Sequence, residues 1–388
     1  MQNFHYHNPA RIIFGDNSEK ELNTLLQEYK VSSLLLVYSG DFIKDLGIWT
    51  TITDACNELN IHFYENANVV PNPKVELVRE LVTLGKEHAV DFILAVGGGS
   101  SIDTAKAISL GIPYEGDVWD FFDGSASARS SIPIGVITTL PSSGSETSNC
   151  SIISNGLLKL GFEDDMIIPQ FSIMNPRFTM GLPAYQTSCG CADILSHLLE
   201  RYFTDTTYVD TTDFLIEGAI KALMLNAERL MKDSKDYNAR AEVQWLASIA
   251  HNNLLDTGRL ADWGSHRIEH ELSSQYGITH GEGMAVILVA WTKYMAQKKP
   301  TKLAQLANRI FNVDYHDYTE TEMAFKLSDH LKRFFISLNL KTTLSELNID
   351  DSAFEEMAMR ATDHDTSTVG HYIPLHKKEF IEILKLAL

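Results

Sequence analysis

In the first half of the chain, short β-branched and leucine-rich runs alternate with amphipathic stretches. Ser33–Tyr38, Ile61–Tyr64, Asp91–Val96 and Ile132–Thr138 read as strands, while Ile48–Leu59 and Pro73–Glu87 carry apolar residues at helical spacing. In the second of these helices Val75, Val78, Leu81, Val82 and Leu84 form the apolar stripe. The strand–helix–strand rhythm predicts a largely parallel, doubly wound, Rossmann-like sheet, whose ligands lie outside the carboxyl ends of the strands.

Past Ala184 the pattern changes to long helices: Thr187–Phe203, Thr211–Met231, Asn238–Gly258, Trp263–Tyr276, Gly283–Gln297 and others towards Leu388. Gly181-Leu182-Pro183 is a breaker cluster between the two textures. The expected organisation is therefore an α/β domain over residues 1–183 followed by an all-α domain over residues 184–388.

Composition narrows the function classes. The chain has 388 residues, 44% of them hydrophobic, with 23 Gly and 11 Pro, which excludes a disordered, collagen-like or low-complexity chain. Against 51 Asp+Glu stand 32 Lys+Arg, a formal charge of −19. That balance argues against DNA, RNA or an anionic membrane as the main partner, because those surfaces reward clustered Lys and Arg. A phosphate-bearing ligand would have to be held locally. Apolar runs such as Ile132–Leu140 fall short of the roughly 18–20 residues that cross a bilayer, and Met1–Arg11 lacks the charged-then-apolar order of a secretory signal. Four cysteines (Cys56, Cys150, Cys189, Cys191) are too few to staple a chain of this length, so the cytoplasm is the expected address. Cys189-x-Cys191 lacks the two-residue spacer of redox and zinc motifs and reads as buried thiols.

Candidate chemistry lies first in Val96-Gly97-Gly98-Gly99-Ser100-Ser101-Ile102-Asp103, at the end of a predicted strand and the head of a predicted helix. Consecutive glycines cost chain entropy but let backbone N–H groups approach an anion, with the helix dipole and the serine hydroxyls adding to the attraction. A pyrophosphate cradle explains three glycines; a tight strand-to-helix turn needs only one. The loop Thr139-Leu140-Pro141-Ser142-Ser143-Gly144 also follows a strand. Its small hydroxyl residues suit ribose and amide groups, or equally a polar loop or helix cap. Lys159 could meet a phosphate or be a solvated lysine.

The helical half carries a second constellation. Asp193 and His197 are four apart on a predicted helix flanked by Ile194, Leu195, Leu198 and Leu199, and His266 and His270 repeat that spacing. His280 opens the turn His280-Gly281-Glu282-Gly283. One carboxylate and two or three imidazoles suit Fe²⁺ or Zn²⁺ better than Ca²⁺ or Mg²⁺, while each pair alone could be an ion-paired or exposed face.

With these motifs the chain resembles the iron-containing (metal-dependent) alcohol dehydrogenase family, and most of all its butanol dehydrogenase branch. The likeness runs through Asn8–Gly15, Gly97–Ser100, Asp103-x-x-Lys106, Asp117–Phe122, Thr139–Glu146, the segment with Asp193 and His197, and His266-x-x-x-His270 with His280. It implies a dehydroquinate synthase-like fold and hydride transfer between NAD(P)(H) and a small primary alcohol or aldehyde, with a divalent metal polarising the oxygen. Asp193, His197, His266 and His280 map onto the family's metal ligands, and His270 onto a proton relay. Gly97, Gly98, Gly99 and Ser100, with Asp103, map onto the pyrophosphate site; Thr139, Leu140 and Ser143 onto the nicotinamide-side loop; and Lys159 onto a cofactor-contacting lysine.

The resemblance also implies a homodimer. Cofactor choice turns on Ser39-Gly40-Asp41: NAD-preferring relatives carry an aspartate at the position aligned with Ser39, whereas Ser39 leaves room for a 2′-phosphate. Asp41 would oppose that phosphate if it pointed inwards. NADP(H) is favoured over NAD(H) on this reading. Glycerol dehydrogenase or dehydroquinate synthase chemistry on the same fold, and an inactive nucleotide-binding or sensor protein, are the alternatives. His5, His7, His364 and His371 read as surface or loop histidines, Met224, Met231, Met284 and Met295 as core filler, and Trp119, Phe121 and Phe122 as packing.

Overall fold

Leu34, Leu36, Phe92, Leu94, Val96 and Ile137 pack into one apolar cluster and Leu35, Val37, Ile93, Ala95 and Val136 into another. Strands buried on both faces are what a parallel sheet covered by helices requires. The computed structural model describes residues 1–388, and the chain divides into two units, His7–Leu182 and Met1–Tyr6 with Pro183–Leu388.

The α/β unit holds strands β1 (Arg11–Phe14), β2 (Ser33–Tyr38), β3 (His62–Asn66), β4 (Phe92–Gly97), β5 (Ile134–Thr138), β6 (Cys150–Asn155), β7 (Leu158–Glu163) and β8 (Phe171–Met174). Six of them form one sheet in the order β1-β8-β5-β4-β2-β3, with every pairing parallel. Register sets the site: Gly97 lies opposite Thr138 and Tyr38 opposite Val96. The segments that follow β2, β4 and β5 therefore leave the sheet side by side at its carboxyl edge. Strands β6 and β7 form a separate antiparallel hairpin, which departs from the strand–helix rhythm. Its apolar pattern is disguised, because Lys159 is buried and Leu158 exposed. Trp119, Phe121 and Phe122 are buried in the core of this unit, near Phe162.

The second unit is helical. Its core gathers Ala184–Tyr202, Asp210–Lys232, Tyr237–His251, Gly264–Tyr276 and the almost wholly buried His280–Lys298 around one apolar cluster that includes Met284 and Met295. Two differences from the sequence pattern have plain causes. The helix expected over Asn238–Gly258 stops at His251, since Asn253 adopts a left-handed φ of 67° and a short turn Leu254–Asp256 follows. The first six residues belong with this unit rather than with the α/β domain to which the 1–183 boundary assigns them. The Met1 ammonium donates to the Thr207 carbonyl, and the Gln2 N–H to that of Gly258.

All four cysteines are free thiols, and burial pushes Cys189 and Cys191 up to about 12. No helix is long and apolar enough to cross a membrane.

Candidate functional site

Thr187–Tyr202 is buried along its whole length within the helix Ala184–Tyr202, so Asp193 and His197 are held in a closed environment. An unpartnered carboxylate there would be costly. His197 Nε2 lies 3.7 Å from Asp193 Oδ1 and His280 Nε2 lies 3.3 Å from the same oxygen. One ligand atom each from Asp193, His266 and His280 falls within 4.8 Å of the others. The His197 ring stacks on His266 at 5.0 Å between centroids and 15° between planes. The four residues named from the sequence thus converge around Asp193, although His197 stands outside the tightest three.

The polarity of this cluster suits a cation. Burial holds His197 well below the ordinary imidazole range, which keeps its ring neutral and available as a ligand. Burial also disfavours a charged His280, yet Glu269 and Asp193 together raise it to about 9. The carboxylates therefore favour positive charge beside Asp193, and a donor set of one carboxylate and three imidazoles is borderline in softness, fitting Fe²⁺ or Zn²⁺. His270, one turn beyond His266, has its ring 6.4 Å from His266 and 5.7 Å from His280. Glu269, His270 and His280 make a second group of potential ligands. His5, His7, His364 and His371 enter neither group.

Four neighbours escaped the sequence reading. Glu200 accepts from His266 Nδ1 at 2.9 Å and from the N–H of Trp263 at 2.6 Å. Glu269 faces His280 Nδ1. His251 ends its helix with its ring 4.5 Å from that of His197. Trp263, in a left-handed φ of 63°, sits edge-on to His266 with the Arg201 guanidinium 4.8 Å from its ring. The signal for Glu200 was present, since it follows Asp193 by seven residues and His197 by three on one helical face.

In the α/β unit the glycine turn runs from β4 into the helix Gly99–Gly111. Gly97 has φ +147°, a β-carbon on Gly98 would stand 3.1 Å from Leu140 Cβ, and one on Gly99 would stand 2.5 Å from Ser143 Oγ. The Thr139 N–H donates to the Gly97 carbonyl at 3.0 Å. The two loops predicted to bind cofactor are therefore packed together at a helix N-terminus, where backbone N–H groups and the dipole favour phosphate. Ser100 lies in the first turn of that helix.

Asp103, expected at the cofactor site, is engaged within the α/β unit. Its carboxylate accepts from Ser145 Oγ at 2.6 Å and from the Ile152 N–H at 3.1 Å. Lys106 is fully buried and donates to Ser145, Ser148 and the Cys150 carbonyl. The pair clamps the loop after β5 and the hairpin onto the helix. Lys159 is also buried, with Nζ 3.0 Å from Asn72 Oδ1. Beyond β2, Ser39 bridges to Asn68, Gly40 has φ +67°, and Asp41 is 81% exposed in an ion pair with Lys44 at 2.8 Å.

Residues 9–176 match the iron-containing alcohol dehydrogenase family and residues 187–388 the C-terminal part of the Fe-containing alcohol dehydrogenase family. The chain is 34% identical to a probable NADH-dependent butanol dehydrogenase of Bacillus subtilis, with 100% of both chains covered. The chain belongs to the iron-containing alcohol dehydrogenase family. It is 30% identical to an NADPH-dependent aldehyde reductase of Escherichia coli over 95% of each chain. The crystal structure of an NADH-dependent butanol dehydrogenase of Thermotoga maritima superposes with a TM-score of 0.95 at 32% identity, covering 100% of this chain and 99% of that one. As an iron-containing alcohol dehydrogenase, the protein is an oxidoreductase of alcohols and aldehydes that works with a metal and a nicotinamide dinucleotide.

Proposed function

We propose that the enzyme interconverts a small primary alcohol and its aldehyde, with NADP(H) favoured over NAD(H) and Fe²⁺ or Zn²⁺ held by Asp193, His197, His266 and His280. The observation that carries this reading is the convergence of buried Asp193, His266 and His280 ligand atoms within 4.8 Å. When bound, the cation supplies Lewis-acid polarisation of the substrate oxygen, and the dinucleotide donates or accepts the hydride.

The chain's own groups do the rest. Asp193 balances the charge of the cation, and the apolar flanks of its helix keep water from it. His270, half-buried beside His266 and His280, is the group that takes the alcohol proton at its imidazole and returns it in aldehyde reduction. The N–H groups at the head of Gly99–Gly111 hold the pyrophosphate, Thr139, Leu140 and Ser143 line the nicotinamide side, and Lys159 contacts the cofactor. Room for a 2′-phosphate is supported by the short side chain of Ser39 and by Lys44, which offsets Asp41. The relatives' names divide between NADH and NADPH, so the preference rests on these residues. A cytoplasmic homodimer belongs to the same reading, with sedimentation equilibrium as its check.

The test is a panel of straight-chain aldehydes assayed with NADH and NADPH, using chelated protein and protein reloaded with Fe²⁺ or Zn²⁺. Reduction only after reloading, with NADPH the better donor, is expected. Full turnover by rigorously metal-free protein would overturn the metal-dependent reading.

A further inference from the structure

Resting on that metal-site reading, we propose that Glu200 and Glu269 are its positioning residues, each holding Nδ1 of one imidazole so that His266 and His280 turn Nε2 towards Asp193. Glu200 is 2% exposed. It accepts from the Trp263 N–H, the Ser265 hydroxyl, the His266 N–H and His266 Nδ1, at 2.6, 2.6, 2.9 and 2.9 Å. An ionised carboxylate can only accept, so Nδ1 carries the proton and Nε2 keeps the lone pair a metal needs. Glu269 holds His280 from the same side, its carboxylate on Nδ1, which leaves Nε2 facing Asp193 Oδ1 at 3.3 Å.

Glu269 is fully buried, and the fold has made room for it. A β-carbon on Gly283, in the first turn of the helix that His280 opens, would stand 2.6 Å from Glu269 Oε1 and 2.8 Å from its Cγ. Oε1 has no hydrogen-bond partner. A buried carboxylate with one oxygen unsatisfied is expensive as mere structure, whereas beside a cation-binding imidazole its charge raises the basicity of the ligand. Glu200 also caps the helix Gly264–Tyr276 through Trp263 and His266 N–H, so its positioning role must be separated from its capping role.

The experiment titrates metal-free protein with Co²⁺, measuring affinity by chelator competition and ligand field from the visible d–d bands. Glu200→Ala, Glu200→Gln, Glu269→Ala and Glu269→Gln are compared with wild type, Asp193→Ala and Ser265→Ala. NADPH binding and thermal melting report the fold separately. Expected are losses of Co²⁺ affinity of about 10–100-fold in the alanine variants, smaller losses in the glutamine variants, whose amide oxygen still accepts Nδ1–H, and altered d–d bands. Ser265→Ala, which removes one of the four donors to Glu200 and leaves its contact with His266 Nδ1, should lose less Co²⁺ affinity than either alanine variant of the glutamates. Should Glu200→Ala fail to fold, Glu269→Ala and the glutamine pair decide. Wild-type affinity and bands in these variants, with affinity lost in Asp193→Ala, would overturn the positioning role alone. Wild type binding no better than Asp193→Ala would overturn the metal reading and the positioning role with it.

Discussion

Ser143 Oγ lies 2.5 Å from where a β-carbon on Gly99 would stand, so the loop after β5 fills the space that a side chain at the head of the helix would need. Gly99→Ala must push Ser143 away and break the bond its hydroxyl accepts from the Ser145 N–H at 3.2 Å. Overpacking of this size costs on the order of 1–3 kcal/mol, which is about 5- to 150-fold if it falls on affinity. NADPH binding followed by fluorescence should weaken accordingly while metal content stays at wild-type level. Undiminished affinity would remove the glycine turn from the cofactor site.

His266 and His270 are one helical turn apart and should separate by experiment. His266→Ala removes a ligand from the converging set and should cost most of the bound metal and nearly all activity. His270→Ala leaves Asp193, His197, His266 and His280 in place. Its metal content should match wild type while kcat falls by about 10²–10⁴-fold, the usual contribution of a proton-transfer group. Metal analysis beside steady-state kinetics reads both, and a His270 variant with full kcat would exclude the relay.

How much of this was legible in the chain depended on what each residue's pattern could reveal. Asp193, His197, His266 and His270 stood out because a helix turns i and i+4 to one side. Ser33–Tyr38 was clear because six consecutive buried residues leave an uninterrupted apolar run. The four-residue strands β1 and β8 are too short for any period to show, and the hairpin was masked by its inward Lys159. Glu200 shares a helical face with Asp193 and His197, but Glu269 and His251 reach the centre from positions whose partners lie 11 and 54 residues away along the chain. Periodicity speaks only of neighbours on one element. The clamp made by Asp103 was hidden for the same reason: its partners Ser145 and Ile152 are brought to it by the fold.

Asp41 and Lys44 make the cofactor preference testable. The Asp41 carboxylate is 81% exposed and bound to Lys44 at 2.8 Å, and that pairing raises the Lys44 ammonium above its ordinary range. If Lys44 offsets Asp41 beside a 2′-phosphate, Lys44→Ala should raise KM for NADPH by about fivefold, the scale of one exposed ion pair, and leave KM for NADH unchanged. Asp41→Asn should move the NADPH value the other way, and both effects should shrink in high salt. Equal shifts for the two dinucleotides would place Lys44 outside the phosphate site.

Lys106 supplies a pH signature for the clamp on the loop after β5. Burial lowers its ammonium to about 8, against the opposing pull of Asp103, whereas a lysine in the unfolded chain titrates near 10.4. Between these values the unfolded chain holds a proton that the folded chain has released, so the stability due to this group rises with pH. Below pH 8 both states are protonated and the cost of burying the charge is present in full. Above it, wild type should gain on Lys106→Met by at most about 1.4 kcal/mol per pH unit, and the gain should level off as the unfolded lysine titrates. Urea midpoints of the two proteins from pH 7 to 10 measure the difference, in which the tyrosines and other shared groups cancel. A constant gap across that range would mean that Lys106 keeps its proton in the folded protein, so that the contacts to Ser145, Ser148 and Cys150 outweigh its burial.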